Sequence, residues 1–165
     1  MSNVHKITNF LQRIPEKKFS AHRLLLGTQT SDKAQNYLQI AKVEWPNPVT
    51  AEDLEYDENR GEVGGHGAAK VAITFNIIQR INHPGDVNKA RYQPQNPNII
   101  ATMCQDGNVL VFDRSKLSSI PKENGTVEAH AILKGHTQEG YGLAWSPEDE
   151  GMLVTGAEDS TVRLW

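Results

Sequence analysis

The stretch that decides the fold is residues 135–165, GHTQEGYGLAWSPEDEGMLVTGAEDSTVRLW. Tyr141, Leu143 and Trp145 alternate along it as the residues of an inner β-strand do, and Ser146-Pro147 ends that strand because proline has no backbone N–H to donate. Residues 152–155 are β-prone, residues 158–160 suit a tight turn, and residues 161–165 again alternate. The stretch therefore predicts a meander of three antiparallel strands.

An earlier segment repeats this pattern at one constant interval and without a gap. The matched pairs are His83 and His136, Asp86 and Glu139, Tyr92 and Trp145, Pro94 and Pro147, Asp106 and Asp159, Val109 and Val162, and Phe112 and Trp165. This order of residues is typical of a WD40 array: a histidine, an aromatic residue followed by x-Pro, an aspartate and a closing aromatic residue. We therefore predict an all-β chain of β-propeller blades.

Four residues of the last repeat predict a structural hydrogen-bond chain. They are His136, Thr155, Asp159 and Trp165. Buried polar groups must be satisfied, and a satisfied chain of this kind makes a blade rigid. His136 beside Asp159 could also suggest a catalytic dyad, but no nucleophile stands at a matching place in the repeat. We therefore predict no catalytic residue and no enzyme.

The composition excludes several classes of protein. The chain has 165 residues, of which 38% are hydrophobic and 22% charged, with a formal net charge of -3. It lacks the basic surface expected of a protein that binds nucleic acid directly, and no apolar run is long enough to span a membrane. Cys104 is the lone cysteine, and the histidines lack ligand-pair spacing, so we expect no disulfide, metal site or cofactor.

Four segments divide the chain. Residues 1–18 form an amino-terminal segment in which Val4, Ile7, Phe10, Leu11 and Ile14 share one side of a predicted short helix that ends at Pro15. Residues 19–81 form a first, degenerate blade, residues 82–134 a second, and residues 135–165 a truncated third. This amounts to about two blades and three strands of a third.

The first blade contains an unusual connection. Residues 50–63 are acidic, with a single arginine, and a glycine cluster follows them. An acidic run of this kind is usually a solvated loop, and the alternative is a docking site for a basic partner. The glycine cluster fits neither a Walker loop nor a Rossmann turn, so we interpret it as an exposed, mobile connection.

Several phrases are more specific than a general WD40 signature. They are HRLLLGTQTS at 22–31, YD at 56–57 with GEVGG at 61–65, NH at 82–83 with VNKARYQPQNP at 87–97, and GH at 135–136 with EGYGL at 139–143. Together they resemble the histone-binding WD40 proteins, that is, the retinoblastoma-binding and MSI-type proteins related to the small subunit of chromatin assembly factor. The resemblance covers roughly residues 15–165.

This resemblance implies a seven-bladed propeller without catalytic activity. It implies as partners the core histones, through their basic tails, and subunits of chromatin assembly, acetyltransferase, deacetylase or Polycomb complexes. The implied location is the nucleus, with the cytoplasm as a second compartment. A WD40 scaffold of another system, such as ubiquitin-ligase substrate recognition, is the alternative function.

The resemblance also implies a peptide-binding site on the flat top face. The matching positions are Asp86, Asn88, Lys89, Glu139 and Tyr141. The repeat alone supports part of this, since Asp86 and Glu139 hold the same place in successive repeats and should reach one rim. Two carboxylates there could accept charge-assisted hydrogen bonds from lysine or arginine, although charges at loop ends can also serve only solubility.

Two departures from the family follow. The family's long leading helix and its Glu-Trp-Pro-Ser strand are not visible ahead of Phe19, so the second family site, which grips a histone helix, is not carried over. The array stops after Trp165, short of a closed ring. We therefore expect a fragment, as a truncated product or an incomplete gene model, with a split propeller completed by another chain as the alternative.

Overall fold

We describe the protein from a computed structural model. It describes the backbone of residues 4–15, 19–31, 33–46, 56–57, 62–63 and 73–165, and the side chains within 20–31, 33–45 and 73–165. The strands are β1 (Val4–Pro15), β2 (Phe19–Thr28), β3 (Asn36–Pro46), β4 (Tyr56–Asp57), β5 (Glu62–Val63), β6 (Thr74–His83), β7 (Val87–Tyr92), β8 (Ile99–Cys104), β9 (Val109–Asp113), β10 (Ala131–Leu133), β11 (Gly140–Trp145), β12 (Leu153–Ala157) and β13 (Val162–Leu164). One short 3₁₀ helix, Arg114–Lys116, follows β9.

The first blade is a four-stranded sheet in the order β1-β2-β3-β6. Its central pair is β2 and β3, where the sequence predicts strands at residues 22–27 and 36–43. The helix predicted for the amino-terminal segment is wrong, because β1 runs antiparallel to β2 from Val4 opposite Thr28 to Pro15 opposite Ser20. Three register shifts interrupt this pairing. Each shift resets the alternation of side chains, so a strand can carry the three-residue spacings that a helix would show.

The second and third blades have the predicted meanders. The second is ordered β10-β9-β8-β7 and the third β11-β12-β13. The prediction of an all-β WD40 fragment with about two blades and three strands of a third is confirmed, and no α-helix occurs among the described residues. The sequence predicts the outer strand of the second blade at residues 127–133, but β10 is shorter, because residues 127–130 belong to the long connection that leaves β9. The acidic connection of the first blade contributes the two-stranded hairpin β4-β5, and the rest of it and its glycine cluster lie outside the described residues.

Two apolar layers hold the three blades in a row. The first lies between the first and second blades and contains Leu25, Leu38, Ile40, Ile81, Val87, Ala90, Ile100, Cys104, Leu110 and Phe112. The second lies between the second and third blades and contains Ala101, Met103, Val109, Leu143 and Leu153. Each blade thus buries one apolar face against its neighbour, as a repeat architecture requires.

Close backbone approach and polar contacts fix how the blades meet. A Cβ added at Gly27 would lie 2.6 Å from the Cβ of Val87, so only glycine lets β2 approach the second blade this closely. Between the second and third blades, the Trp145 indole Nε1–H donates to the Arg91 carbonyl at 3.0 Å. These contacts bring the starts of β7 and β11 to the same edge of the molecule.

Candidate functional site

Four of the five predicted binding residues, Asp86, Asn88, Glu139 and Tyr141, gather at one edge, which we call the upper rim. It consists of residues 84–88 before and at the start of β7, residues 137–141 at the start of β11, and the loop 29–35 between β2 and β3. Hydrogen bonds join these three segments, as described below. The repeat interval therefore brings Asp86 and Glu139 to the same rim of the molecule.

Asp86 is a buried residue whose carboxylate organises the neighbouring loop. It is only 5% exposed. Its Oδ1 accepts hydrogen bonds from the Thr30 and Ser31 amides at 2.9 and 3.3 Å and from Asn36 Nδ2 at 3.1 Å. Ser31 has a φ of 49°, a left-handed conformation that is uncommon for a residue with a side chain. Asp86 thus stabilises the bend of the 29–35 loop from the adjacent blade.

Glu139 occupies the same repeat position but is held differently. Its Oε2 accepts hydrogen bonds from Asn88 Nδ2 at 3.0 Å and from the Tyr141 hydroxyl at 3.2 Å. Asn88 is buried, whereas Tyr141 is 47% exposed. The carboxylate is therefore fixed by one buried amide and one phenol at the surface. Neither donor is charged, so Glu139 keeps its negative charge available to a cation.

The negative charges of the rim affect the pKa of Tyr141. Burial, the charge of Glu139 and the hydrogen bond to it raise the pKa of Tyr141, and the charges of Glu158 and Asp86 add to this. Three carboxylates thus act on one phenol, which stays protonated and donates to Glu139. A surface of this kind attracts lysine or arginine and offers a ring face beside the carboxylate.

Lys89, the fifth predicted residue, lies within β7 rather than on the rim loops. It is half-buried and opposite Met103 of β8. The pairing of β7 with β8 shifts register between Val87 and Lys89, which places the bulge at Asn88. Bulges re-aim side chains at strand ends, and this one accompanies the contact of Asn88 with Glu139 across the blades.

The four residues of the predicted structural chain lie within hydrogen-bonding distance of one another. His136 Nδ1 lies 3.0 Å from Asp159 Oδ2, His136 Nε2 lies 2.8 Å from Thr155 Oγ1, and Trp165 Nε1 donates to the same Oγ1 at 2.9 Å. The Asp159 carboxylate only accepts, so His136 Nδ1–H donates to it, and the Nε2 of the neutral imidazole accepts from the Thr155 hydroxyl, whose oxygen accepts from the indole. Every polar group of the four is satisfied.

Asp159 is the acceptor at the end of this chain. Burial raises its pKa, but hydrogen bonds from the Thr161 hydroxyl, the Thr137 and Thr161 amides and His136 outweigh burial and hold the pKa well below its usual range. The Asp159 side chain is 5% exposed and that of His136 is fully buried. The Thr155 hydroxyl on His136 Nε2 is only 1% exposed and accepts from Trp165, so it is out of reach of a substrate, and we interpret the site as a rigid support for the turn between β12 and β13.

The second blade contains a reduced version of this network. His83 Nδ1 lies 2.7 Å from the Gly85 carbonyl and His83 Nε2 lies 3.0 Å from Thr102 Oγ1. Cys104 Sγ approaches the same Nε2 at 3.5 Å. Burial lowers the pKa of His83 to about 4 and raises the pKa of Cys104 to about 12, so both groups are neutral near pH 7. Cys104 is therefore an unreactive core thiol.

Sequence reasoning missed some of these partners. Thr102 stands at the repeat interval from Thr155, so that interval would have found it. The role of Thr30, Ser31 and Asn36 as partners of Asp86 had no signal in the sequence.

Among the described residues, no group of three histidine, cysteine, aspartate or glutamate side chains could hold a metal ion. No described helix is long and apolar enough to cross a membrane.

Comparison with known proteins first gives the class. The WD40 domain of Toxoplasma gondii coronin superposes with a TM-score of 0.54 at 18% identity, covering 99% of this chain and 39% of the coronin chain. Residues 127–165 also match the family "WD domain, G-beta repeat". The chain is therefore a run of WD40 propeller blades.

The sequence comparisons give the family. Residues 8–47 match the family of the histone-binding protein RBBP4 and its counterpart in the CAF1 complex. Proteins named "Histone acetyltransferase type B subunit 2" are similar to 93% of this chain, with 60% identity in Aspergillus oryzae and 59% in Aspergillus fumigatus. The protein of that name from Neurospora crassa is 54% identical over 91% of the chain. The chain is thus similar to this histone-binding WD40 family, and it spans 36% of the length of the two Aspergillus relatives.

Proposed function

We propose that this chain is a histone-binding WD40 subunit without catalytic activity of its own. Its similarity to proteins named histone acetyltransferase type B subunit 2 supports membership of a type B histone acetyltransferase complex that acts on chromatin proteins in the nucleus. The other partners implied by the family resemblance are chromatin assembly, deacetylase and Polycomb complexes. The upper rim is the surface that accepts the histone.

The observation that carries the proposal is the fixed carboxylate of Glu139. Its Oε2 is held by Asn88 and Tyr141, and the half-exposed Tyr141 ring stands beside it. A lysine or arginine side chain of a histone tail would pair with this carboxylate and lie along the ring. The orientation of the carboxylate is set before binding, which lowers the conformational entropy that the Glu139 side chain loses when the peptide binds.

The two sister carboxylates then have different roles. Glu139 contacts the cation of the peptide. Asp86 already accepts three hydrogen bonds on one oxygen, so it positions the 29–35 loop and contributes negative potential to the rim. Asn88 orients Glu139. Lys89 follows Asn88 in β7 and lies opposite Met103 of β8.

Binding of labelled synthetic amino-terminal peptides of the four core histones, followed by fluorescence anisotropy, tests this assignment. Glu139→Gln keeps the hydrogen bonds to Asn88 and Tyr141 within reach but removes the charge, and should weaken the affinity about tenfold. Asp86→Asn should weaken it by only about threefold, through loss of long-range attraction.

Glu148→Gln is the matched control. Glu148 is an exposed carboxylate in the connection between β11 and β12, at the opposite edge from the rim. Its substitution should leave the affinity within about twofold of the unchanged chain. Equal binding by the Glu139→Gln and Glu148→Gln variants would remove the rim from the proposal.

Membership of the acetyltransferase complex needs a separate test. Affinity-tagged chain expressed in a cell that contains the complex should recover acetyltransferase activity on free core histones in the eluate. Recovery of the tagged chain without that activity would contradict this part of the proposal and leave the peptide assignment standing.

A further inference from the structure

The second and third blades use the aspartate of the turn after their second strand in different ways. In the third blade, Asp159 Oδ2 lies 3.0 Å from Nδ1 of the buried His136. Asp106 holds the same repeat position in the second blade, but there His83 Nδ1 lies 2.7 Å from the Gly85 carbonyl instead. The histidine of the second blade therefore leaves the Asp106 carboxylate outside its hydrogen-bond network.

The carboxylate of Asp106 is exposed and is held only by its own turn. Its Oδ1 accepts from the Asn108 amide at 3.0 Å, and its Oδ2 accepts from Asn108 Nδ2 at 2.6 Å. Among the described residues, no cationic side chain forms a salt bridge with it. Each carboxylate oxygen can accept a further hydrogen bond, so the group is oriented and still able to bind a cation.

This carboxylate lines a pocket of about 250 Å³. The other lining residues are Pro84, Gly85, Cys104 and Gln105. Cys104 is buried, whereas Pro84 and Gln105 are exposed, so the pocket leads inward from solvent. Pockets for drug-sized ligands have volumes of about 300–1,000 Å³. The pocket beside Asp106 is smaller and suits one long side chain.

The lining groups favour a basic side chain. Asp106 supplies a negative charge, and Gln105 supplies a side-chain carbonyl as a second acceptor. Burial raises the pKa of Cys104 to about 12, and the charge of Asp106 adds to this, so its field reaches the inner wall. Pro84 offers an apolar surface for the methylene stem of lysine or arginine. None of the described residues that line the pocket is cationic.

The pocket adjoins the upper rim. Pro84 and Gly85 belong to the rim, and the turn that carries Asp106 packs against the loop before Glu139. Gly107 of this turn has a φ of 82°, and a Cβ added there would lie 2.7 Å from the Gln138 carbonyl oxygen. Only glycine allows so close an approach. One extended peptide can therefore contact Glu139 and enter the pocket.

We propose that the pocket binds a second basic side chain of the peptide whose first basic side chain pairs with Glu139. The inference rests on the proposed function, because the same peptide occupies both places. The ammonium or guanidinium group pairs with Asp106 and donates to Gln105 Oε1, and the stem lies along Pro84. The rim therefore selects histone segments in which two basic residues stand close together.

The test uses labelled peptides of glycine and serine that contain one lysine or two, with the second lysine at each spacing from adjacent to four residues away. Fluorescence anisotropy measures their affinity for the chain. At the best spacing, the second lysine should strengthen binding about fivefold, as expected for a half-exposed ion pair. Arginine in place of the second lysine should keep this gain, and glutamine should lose it.

Three variants assign the gain to the pocket. Asp106→Asn keeps an acceptor for the Asn108 amide but removes the charge, and should reduce the gain to within about twofold. Asp149→Asn makes the same exchange at an exposed residue in the connection between β11 and β12, and should keep the full gain. Gln105→Glu adds a charge to the pocket and should increase the gain by about threefold, so the test includes a variant that gains affinity.

A gain of the same size in the Asp106→Asn and Asp149→Asn variants, or one that glutamine reproduces, would overturn the proposal. The absence of a gain at every spacing would also overturn it. In that case, the proposed function stands if the one-lysine peptide still binds more weakly to the Glu139→Gln variant. Equal binding of that peptide by the unchanged chain and Glu139→Gln would instead remove the proposed function, and this inference with it.

Discussion

The second and third blades place a buried histidine at the same repeat position but satisfy it by different means. In the third blade, His136 lies between Thr155 and Asp159, and Trp165 completes the chain. In the second, His83 bonds the Gly85 carbonyl and Thr102, and Phe112 has no donor to add. The difference shows that the repeat preserves the need for satisfied polar groups and leaves the partners to vary.

The two blades also differ in what covers the face that points along the array. In the second blade, Ala101, Met103 and Val109 are fully buried under Leu143, Leu153 and Trp165. The matching face of the third blade exposes Val154, Val162 and Leu164. Apolar faces of this kind suit packing against another apolar surface.

Matched valines at one repeat position give the largest expected effect. Val109 is 0% exposed and Val162 is 76% exposed. Val109→Asp buries a charge without a partner and should lower the free energy of unfolding by about 4 kcal/mol or more. Val162→Asp should change it by about 0.5 kcal/mol or less. Urea unfolding measures both changes, and similar losses of stability in the two variants would contradict the described packing.

The buried histidine of the second blade predicts a pH dependence of stability. The pKa of His83 is lowered to about 4 in the folded chain, so the unfolded chain binds more protons between that pH and the ordinary histidine value. The contribution of the neutral His83 to the free energy of unfolding is therefore fully present at neutral pH. It falls as the pH decreases, by up to about 3 kcal/mol by pH 4.

The urea midpoint, measured from about pH 7 to about pH 4.5, checks this dependence. His83→Gln should flatten the slope in that range. A midpoint that rises on acidification in the unchanged chain would contradict a neutral, buried His83. An NMR titration of the His83 ring gives the same answer without a variant that must fold.

Two threonines at one repeat position sharpen the comparison of the networks. Thr155→Val keeps the shape but leaves Trp165 Nε1–H and His136 Nε2 without a partner, and should cost about 2 kcal/mol. Thr102→Val should cost about 1 kcal/mol, because His83 Nε2 loses one hydroxyl and keeps the Cys104 thiol nearby. Urea midpoints show which variant loses more stability. A larger loss in Thr102→Val than in Thr155→Val would mean that the longer hydrogen-bond network of the third blade adds no stability.

The smallest effect is expected where the third blade is made to resemble the second. Trp165→Phe removes only the indole donor to Thr155 and should lower the free energy of unfolding by about 1 kcal/mol. The exchange in the other direction, Phe112→Trp, should not stabilise the second blade, because Phe112 is fully buried and a larger ring overpacks the core. Thermal unfolding of both variants measures the asymmetry.

The fold could be predicted from the sequence because proline and turn residues mark the ends of its strands and an aromatic residue recurs at the end of the third strand of each repeat. The meanders of the second and third blades and the pair β2-β3 follow from alternation of this kind. The amino-terminal segment could not be predicted, since its apolar spacings suit a helix. Pairing with β2 decided the matter, because the open edge of β2 offers cross-strand hydrogen-bond partners that the local sequence pattern does not record.

The sequence by itself determined the repeat, and with it the prediction that Asp86 and Glu139 share a rim, because an ungapped interval places matching residues at matching ends of strands. It could not assign them different roles. Only the tertiary structure showed that Asp86 is buried under the loop of another blade while Glu139 is held at the surface by Asn88 and Tyr141. The same limit hid the contact of the β6 residue Arg80 with Ser119 after β9, because these residues are far apart in the chain and a local sequence pattern does not record such contacts.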